Sequence, residues 1–233
     1  LNTQHAAIAN YVRGYLLKHA TAGDTLHGAR RATTRYYHTL SVYRNTMLIL
    51  DGEDADDTTR EICLIAALFH DVDTYSVEHC YHGDRGAETA TKYLLKAGYA
   101  PSLITPIAQA IRDHNYDFDD DKPLHVQAAE VTRDLPLTSR IVLDADLIDK
   151  IGVSNILAAI LPFGLNDKPA FEAARVLCTW PYERARFWHG LLTTRTGAAI
   201  GAQRLAYYEG FLEQVNTEMV LEDLFAPAAA AAP

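Results

Sequence analysis

From residue 3 to residue 222 the apolar side chains recur at every third or fourth position, and almost nowhere do they alternate over the length of a strand. That periodicity predicts an all-α chain, with helices over about 3–19, 27–50, 58–70, 83–97, 102–114, 138–150, 152–161, 169–190 and 197–222. Turn chemistry separates them: DGEDADD at 51–57, AGYAPS at 97–102, NYDFDDDKP at 115–123 and LPFGLNDKP at 161–169. None of these breaks reads as a domain linker. The 233 residues, 48% of them hydrophobic, suffice for one sizeable core. The expected architecture is a single-domain helical bundle: an N-terminal helix within 1–26, a main domain over 27–225, and the low-complexity tail APAAAAAP at 226–233.

Charge and cysteine usage narrow the function classes. Thirty acidic residues against 21 basic give a net charge of -9, so the field that gathers extended nucleic acid is missing, although a local basic pocket stays open. No stretch approaches the roughly 18 consecutive apolar residues of a membrane span, and LNTQHAAIANYVRGYLLKHA lacks a cationic lead into an apolar block. Cys63, Cys80 and Cys178 are odd in number, widely spaced and free of any Cys-x-x-Cys pair, which points to reduced thiols and a cytoplasmic setting. No Gly-rich phosphate loop, nucleophile elbow or basic-aromatic stripe is present.

The informative residues are the polar ones on apolar helices. His38 interrupts a stripe of Leu40, Tyr43, Met47 and Leu50, and His70-Asp71 ends a run containing Ile62, Ile65, Ala66 and Phe69. In SRIVLDADLIDKIG, Asp144, Asp146 and Asp149 are interleaved with Ile141, Val142, Leu143, Leu147 and Ile148. A buried carboxylate needs a partner, and three on one apolar helix call for a cation. Neutral imidazoles with ionised carboxylates suit a divalent first-row ion, and a set of two His and two Asp leaves positions for water. Each feature alone has a plainer reading. His38 can be a core histidine bonded to a carbonyl; His70 can sit on a helix C-terminal dipole, with Asp71 and Asp73 starting a turn; the three aspartates can be a solvated face.

The ordered set of these residues resembles the HD-domain metal-dependent phosphohydrolases. That family carries a His on one helix, an adjacent His-Asp pair ending a later apolar helix, and a distal Asp in an Ala-Asp-apolar stretch. His38, His70-Asp71 in AALFHDVD, and Asp146 in LDADLID match it. HGDRGAETATKYLLKAGY with His82 and ITPIAQAIRDHN with His114 resemble the family's accessory helices, and LLTTRTGAAIGAQRLAYYEGFLEQVNTE looks like the closing helices of small bacterial members. The chain departs from some subgroups. Val72, Asp73, Thr74 and Tyr75 stand where guanosine-tetraphosphate hydrolases have an acidic pair, Thr74 stands where deoxynucleotidases have Glu, and no Gly-Tyr-Pro follows. The segment between His114 and Asp144 is longer than in small members, with an acidic insertion at 117–136.

The resemblance implies a helical bundle of the HD type with a metal site between core helices. His38, His70, Asp71 and Asp146 would hold one divalent ion (Mn, Fe, Co, Ni, Zn or Mg), with a second, weaker ion as an option. Such an ion would activate water for attack on phosphorus. Asp71, Asp73, His82 and His114 are the expected catalytic residues, as acid, base or ligand partners. Arg85, Arg112 and Lys150 are the cations nearest the motifs in sequence and the expected phosphate binders. The expected partner is a small phosphorylated, nucleotide-like substrate, with no membrane and no extended nucleic acid; a homo-oligomer stays open. The alternative is a non-catalytic, metal-stabilised helical binding or regulatory module.

Overall fold

The computed structural model describes residues 2–20, 25–75, 81–115, 135–157 and 180–219. Eight helices of this region position the polar residues: α1 (Thr3–Ala20), α2 (Thr25–Gly52), α3 (Asp57–Phe69), α4 (His82–Lys96), α5 (Pro101–Asp113), α6 (Leu137–Asp149), α7 (Trp180–Gly190) and α8 (Arg195–Met219). The described residues contain no strand. The first six helices begin and end within two residues of their sequence-based bounds. Residues 153–157 are helical too, whereas the remainder of the predicted 152–161 and 169–190 helices, most of the acidic insertion and the tail lie outside the described residues.

The centre of the bundle is α3. Ile62, Cys63, Ile65, Ala66, Ala67, Leu68 and Phe69 are all buried, and a helix apolar around most of its circumference is stable only when surrounded. It packs against α1, α2, α5 and α6. Each fully buried aliphatic or aromatic side chain there stabilises the fold by about 1.5–3 kcal/mol. Asp56 starts the helix by accepting the Thr59 amide at 2.7 Å, which satisfies one of the otherwise open N-terminal donors. His70 ends it as the C-cap, so the last residue of the apolar run is also the first of the site.

Polar ties fix the neighbours. His5 of α1 bonds Tyr43 of α2 at 2.8 Å and Glu61 of α3 at 3.2 Å. Asn45 of α2 donates to the Ala145 carbonyl of α6 at 3.0 Å, and Arg204 of α8 reaches both the Ile148 carbonyl at 2.5 Å and Asn45 at 2.7 Å. Asp144, fully buried, accepts the amides of Thr193 and Thr194 and the Thr194 hydroxyl at 2.7–3.1 Å. Thr194 in turn caps α8 by accepting the Gly197 amide at 3.0 Å, which is why that helix starts before residue 197.

Helices α4 and α5 meet where glycine permits it. A Cβ at Gly83 would lie 2.8 Å from the Asn115 Cβ and 3.2 Å from the Arg112 carbonyl. Gly83 follows His82 and Asn115 follows His114, so this close approach also sets the spacing of the two histidines. Gly83→Ala is expected to cost about 1–3 kcal/mol by overpacking. At 2–4 °C per kcal/mol for a chain of this size, a thermal melt should fall by roughly 2–12 °C; a melt equal to the wild type would show that the helices tolerate separation.

Candidate metal centre

His38 on α2, His70 and Asp71 at the end of α3, and Asp146 on α6 converge, although 108 positions separate the first from the last. His38 Nε2 stands 3.3 Å from His70 Nε2, 3.4 Å from Asp71 Oδ2 and 3.1 Å from Asp146 Oδ1. His70 Nε2 is 3.3 Å from the same Asp71 oxygen. His38, His70 and Asp71 form a set with one atom each, all within 4.8 Å of one another; Asp146 lies outside that set and joins it through His38. Two ligands bonded to one ion at about 2.1 Å and 90–109° apart are separated by about 3.0–3.4 Å. The donor spacing therefore fits an ion.

The hydrogen bonds behind the cluster say which atoms are lone pairs. His38 Nδ1 pairs with Asp149 Oδ2 at 2.7 Å, and His70 Nδ1 donates to the Ala67 carbonyl at 2.8 Å. Both rings are thus fixed with Nε2 turned inward, the arrangement in which a histidine binds a metal. Asp146 Oδ1 is buried without a hydrogen-bond donor. Lone pairs packed at these distances repel unless a positive charge lies among them. Burial opposes a charged His38, but Asp146, Asp149 and Asp71 outweigh burial and raise its pKa well above the ordinary value. Burial likewise works against ionised Asp71 and Asp146, yet His70 and Arg35 hold the first, and Lys150 and His38 the second, well below the usual carboxylate range.

A second set shares Asp71. Its Oδ1 lies 3.4 Å from His82 Nε2 and 3.8 Å from His114 Nε2, and the two histidine nitrogens are 3.2 Å apart. His114 repeats the device of His70: each is the C-cap of its helix and donates Nδ1–H to the carbonyl three residues back, at 2.5 Å for His114. The carbonyl ends of α3 and α5 therefore face the cluster, and their partial negative charge favours a cation. Burial pushes the His114 pKa down, against the pull of Asp71. Among the described residues these two are the groups of His, Cys, Asp and Glu spaced to hold an ion.

The other expected site residues are placed differently. Asp73 is buried, with Oδ1 accepting the Tyr15 hydroxyl at 2.8 Å and Oδ2 accepting Thr89 at 2.5 Å, a clasp between α1 and α4. Arg85 pairs with Glu88 at 3.0 Å and Arg112 with Asp84 at 3.5 Å, all on exposed surface. Lys150 holds Asp146 Oδ2 at 2.6 Å. A cavity of about 640 Å³ opens beside His38 and is lined by Lys150 together with Arg30, Arg31 and Arg35, with Tyr37 and Trp188 as aromatic wall. These three arginines were not among the phosphate binders expected from the sequence. Their signal was the helical spacing, since Arg31 and Arg35 precede His38 by seven and three positions on α2 and share its face.

Asp149 accepts from Ser41 and from His38, and so fixes the ring. Asp149→Ala is expected to lower divalent-metal affinity 10- to 100-fold, the usual cost of losing a group that orients a ligating histidine. Calorimetric titration of metal-stripped protein measures it.

The fold has counterparts among solved structures. No curated protein matches the chain. Among solved structures, an HD-superfamily hydrolase from Bacillus thuringiensis is similar at 17% identity, covering 93% of this chain and 97% of its own, with a TM-score of 0.63. A Lactobacillus plantarum protein aligns over 94% of this chain and 98% of its own at 21% identity and a TM-score of 0.59. Bacillus subtilis YpgQ, solved in complex with ADP, covers 93% and 97% at 17% identity and a TM-score of 0.55. The HD domain family itself matches at residues 35–151, a span that opens three residues before His38 and closes five after Asp146, and by that match the chain belongs to the HD domain family.

Proposed function

We propose that the protein is a divalent-metal-dependent phosphohydrolase that cleaves a phosphate ester or anhydride of a small, nucleotide-like molecule. The observation that carries this reading is the juxtaposition of the His38–His70–Asp71 cluster with a cavity of about 640 Å³ lined by four cationic side chains. That volume is in the range of small-molecule sites. Arg30, Arg31, Arg35 and Lys150 suit the charge of a di- or triphosphate, and Trp188 and Tyr37 offer faces for a planar group. The ADP complex of YpgQ supports the nucleotide part of the proposal.

A divalent ion at the cluster supplies a Lewis acid for a phosphoryl oxygen and lowers the pKa of water. The chain does the rest. His38 and His70 are held with Nε2 inward by Asp149 and the Ala67 carbonyl, and Asp71 presents one oxygen to each histidine set. His114, with its pKa lowered by burial, offers Nε2 either to a proton in transfer or to a second ion shared with His82 and Asp71. A non-catalytic structural site would close its coordination. Here His38 lines the cavity, so the cluster has an approach for substrate.

The test is a screen of metal-stripped protein reloaded separately with manganese, iron, cobalt, nickel and magnesium. Substrates should include ADP, nucleoside mono- and triphosphates, pyrophosphate, sugar phosphates and a cyclic diester. Hydrolysis restored by an ion and absent in Asp146→Ala is the expected result. No hydrolysis by any reloaded form would overturn the proposal in favour of a binding module.

A further inference from the structure

We propose that Arg35 is a two-position cation, which neutralises the cluster-facing oxygen of Asp71 before an ion binds and holds a phosphoryl oxygen of the substrate afterwards. The inference rests on the metal and phosphate chemistry proposed above. Arg35 Nη1 lies 2.5 Å from Asp71 Oδ2. That same oxygen stands 3.4 Å from His38 Nε2 and 3.3 Å from His70 Nε2, so it is the one that would bind an ion in the His38–His70 set. A guanidinium gripping this oxygen competes for its lone pairs and repels a second cation at close range.

Lys150 provides the internal contrast. Its Nζ holds Oδ2 of Asp146 at 2.6 Å, while Oδ1, the oxygen next to His38, has no hydrogen-bond donor. One cation thus sits on the inner oxygen of its carboxylate and the other on the outer. Lys150 leaves its carboxylate ready for an ion; Arg35 must yield. Its side chain is 32% exposed and lines the cavity with Arg30, Arg31 and Lys150, so a change of rotamer carries the guanidinium into the space where phosphate is expected. Its planar fork then matches two phosphoryl oxygens, a geometry an ammonium lacks.

The experiment compares wild type with Arg35→Met, Arg35→Lys and Lys150→Met by calorimetry. Metal-stripped protein is first titrated with Mn²⁺, and Mn²⁺-loaded protein is then titrated with methylenediphosphonate, a non-hydrolysed phosphate mimic. Arg35→Met should bind Mn²⁺ about tenfold more tightly or better and the diphosphonate about tenfold more weakly or worse, a crossing of signs that general damage does not produce. Lys150→Met should not tighten Mn²⁺, and Arg35→Lys, which keeps the charge, should bind Mn²⁺ like the wild type. Mn²⁺ affinity unchanged or weakened in Arg35→Met would overturn the proposal, because Arg35 would then merely position Asp71; an unchanged diphosphonate affinity would overturn it equally. Neither titration reads turnover, so a wild type that binds both probes but hydrolyses nothing counts against the proposed function alone.

Discussion

Asp71→Ala protein is expected to lose divalent-metal binding at both histidine sets and all hydrolysis, while keeping its helices. Asp71 is the residue common to the two sets, with Oδ2 beside His38 and His70 and Oδ1 beside His82 and His114. Its removal takes the second set's carboxylate and leaves the first with Asp146 alone. Losing a group that merely orients a ligand costs 10- to 100-fold in affinity, so a shared ligand should cost more than about 100-fold. The fold should survive, because Asp71 lies in the turn after α3, and Arg35, freed from it, is 32% exposed and reaches water. Elemental analysis and circular dichroism on one preparation decide the matter, and equal metal content in mutant and wild type would refute it.

Asp144→Ala should show the opposite pattern, with metal content retained and stability lost. Asp144 is fully buried two residues from Asp146, yet its side chain reaches Thr193 and Thr194 at the junction of α7 and α8. Burial pushes this carboxyl up in pKa, against the downward pull of those donors. Alanine would leave buried amides and a hydroxyl without an acceptor, at a cost of about 3–5 kcal/mol. With 2–4 °C per kcal/mol at this chain length, the melting temperature should drop by roughly 6–20 °C. A calorimetric melt within 2 °C of the wild type would mean that water replaces the carboxylate, contrary to its burial.

The contrast between Asp144 and Asp146 marks the limit of what the sequence discloses. Helical periodicity located α3 and α6 to within a residue, because an apolar run bounded by turn residues has one stable disposition. The order of His38, His70-Asp71 and Asp146 anticipated which helices meet. Periodicity also suggested that three aspartates on one apolar helix needed a cation. In the fold they go three ways: Asp144 to the threonines about fifty positions on, Asp146 to Lys150 and the cluster, and Asp149 to His38 and Ser41. Such partners are set by tertiary packing, which spacing along the chain does not encode. Asp73 makes the same point through Tyr15, 58 residues before it. Closeness in sequence likewise singled out Arg85 and Arg112, whereas the described cavity wall beside His38 holds Arg30, Arg31 and Arg35.

We propose that His38, His70, Asp71 and Asp146 together hold a divalent ion. Diffraction from crystals grown with manganese, recorded at the manganese absorption edge, tests it most directly. An anomalous peak is expected within bonding distance of His38 Nε2, His70 Nε2, Asp71 Oδ2 and Asp146 Oδ1. A map at saturating manganese with no peak among these four atoms would contradict it.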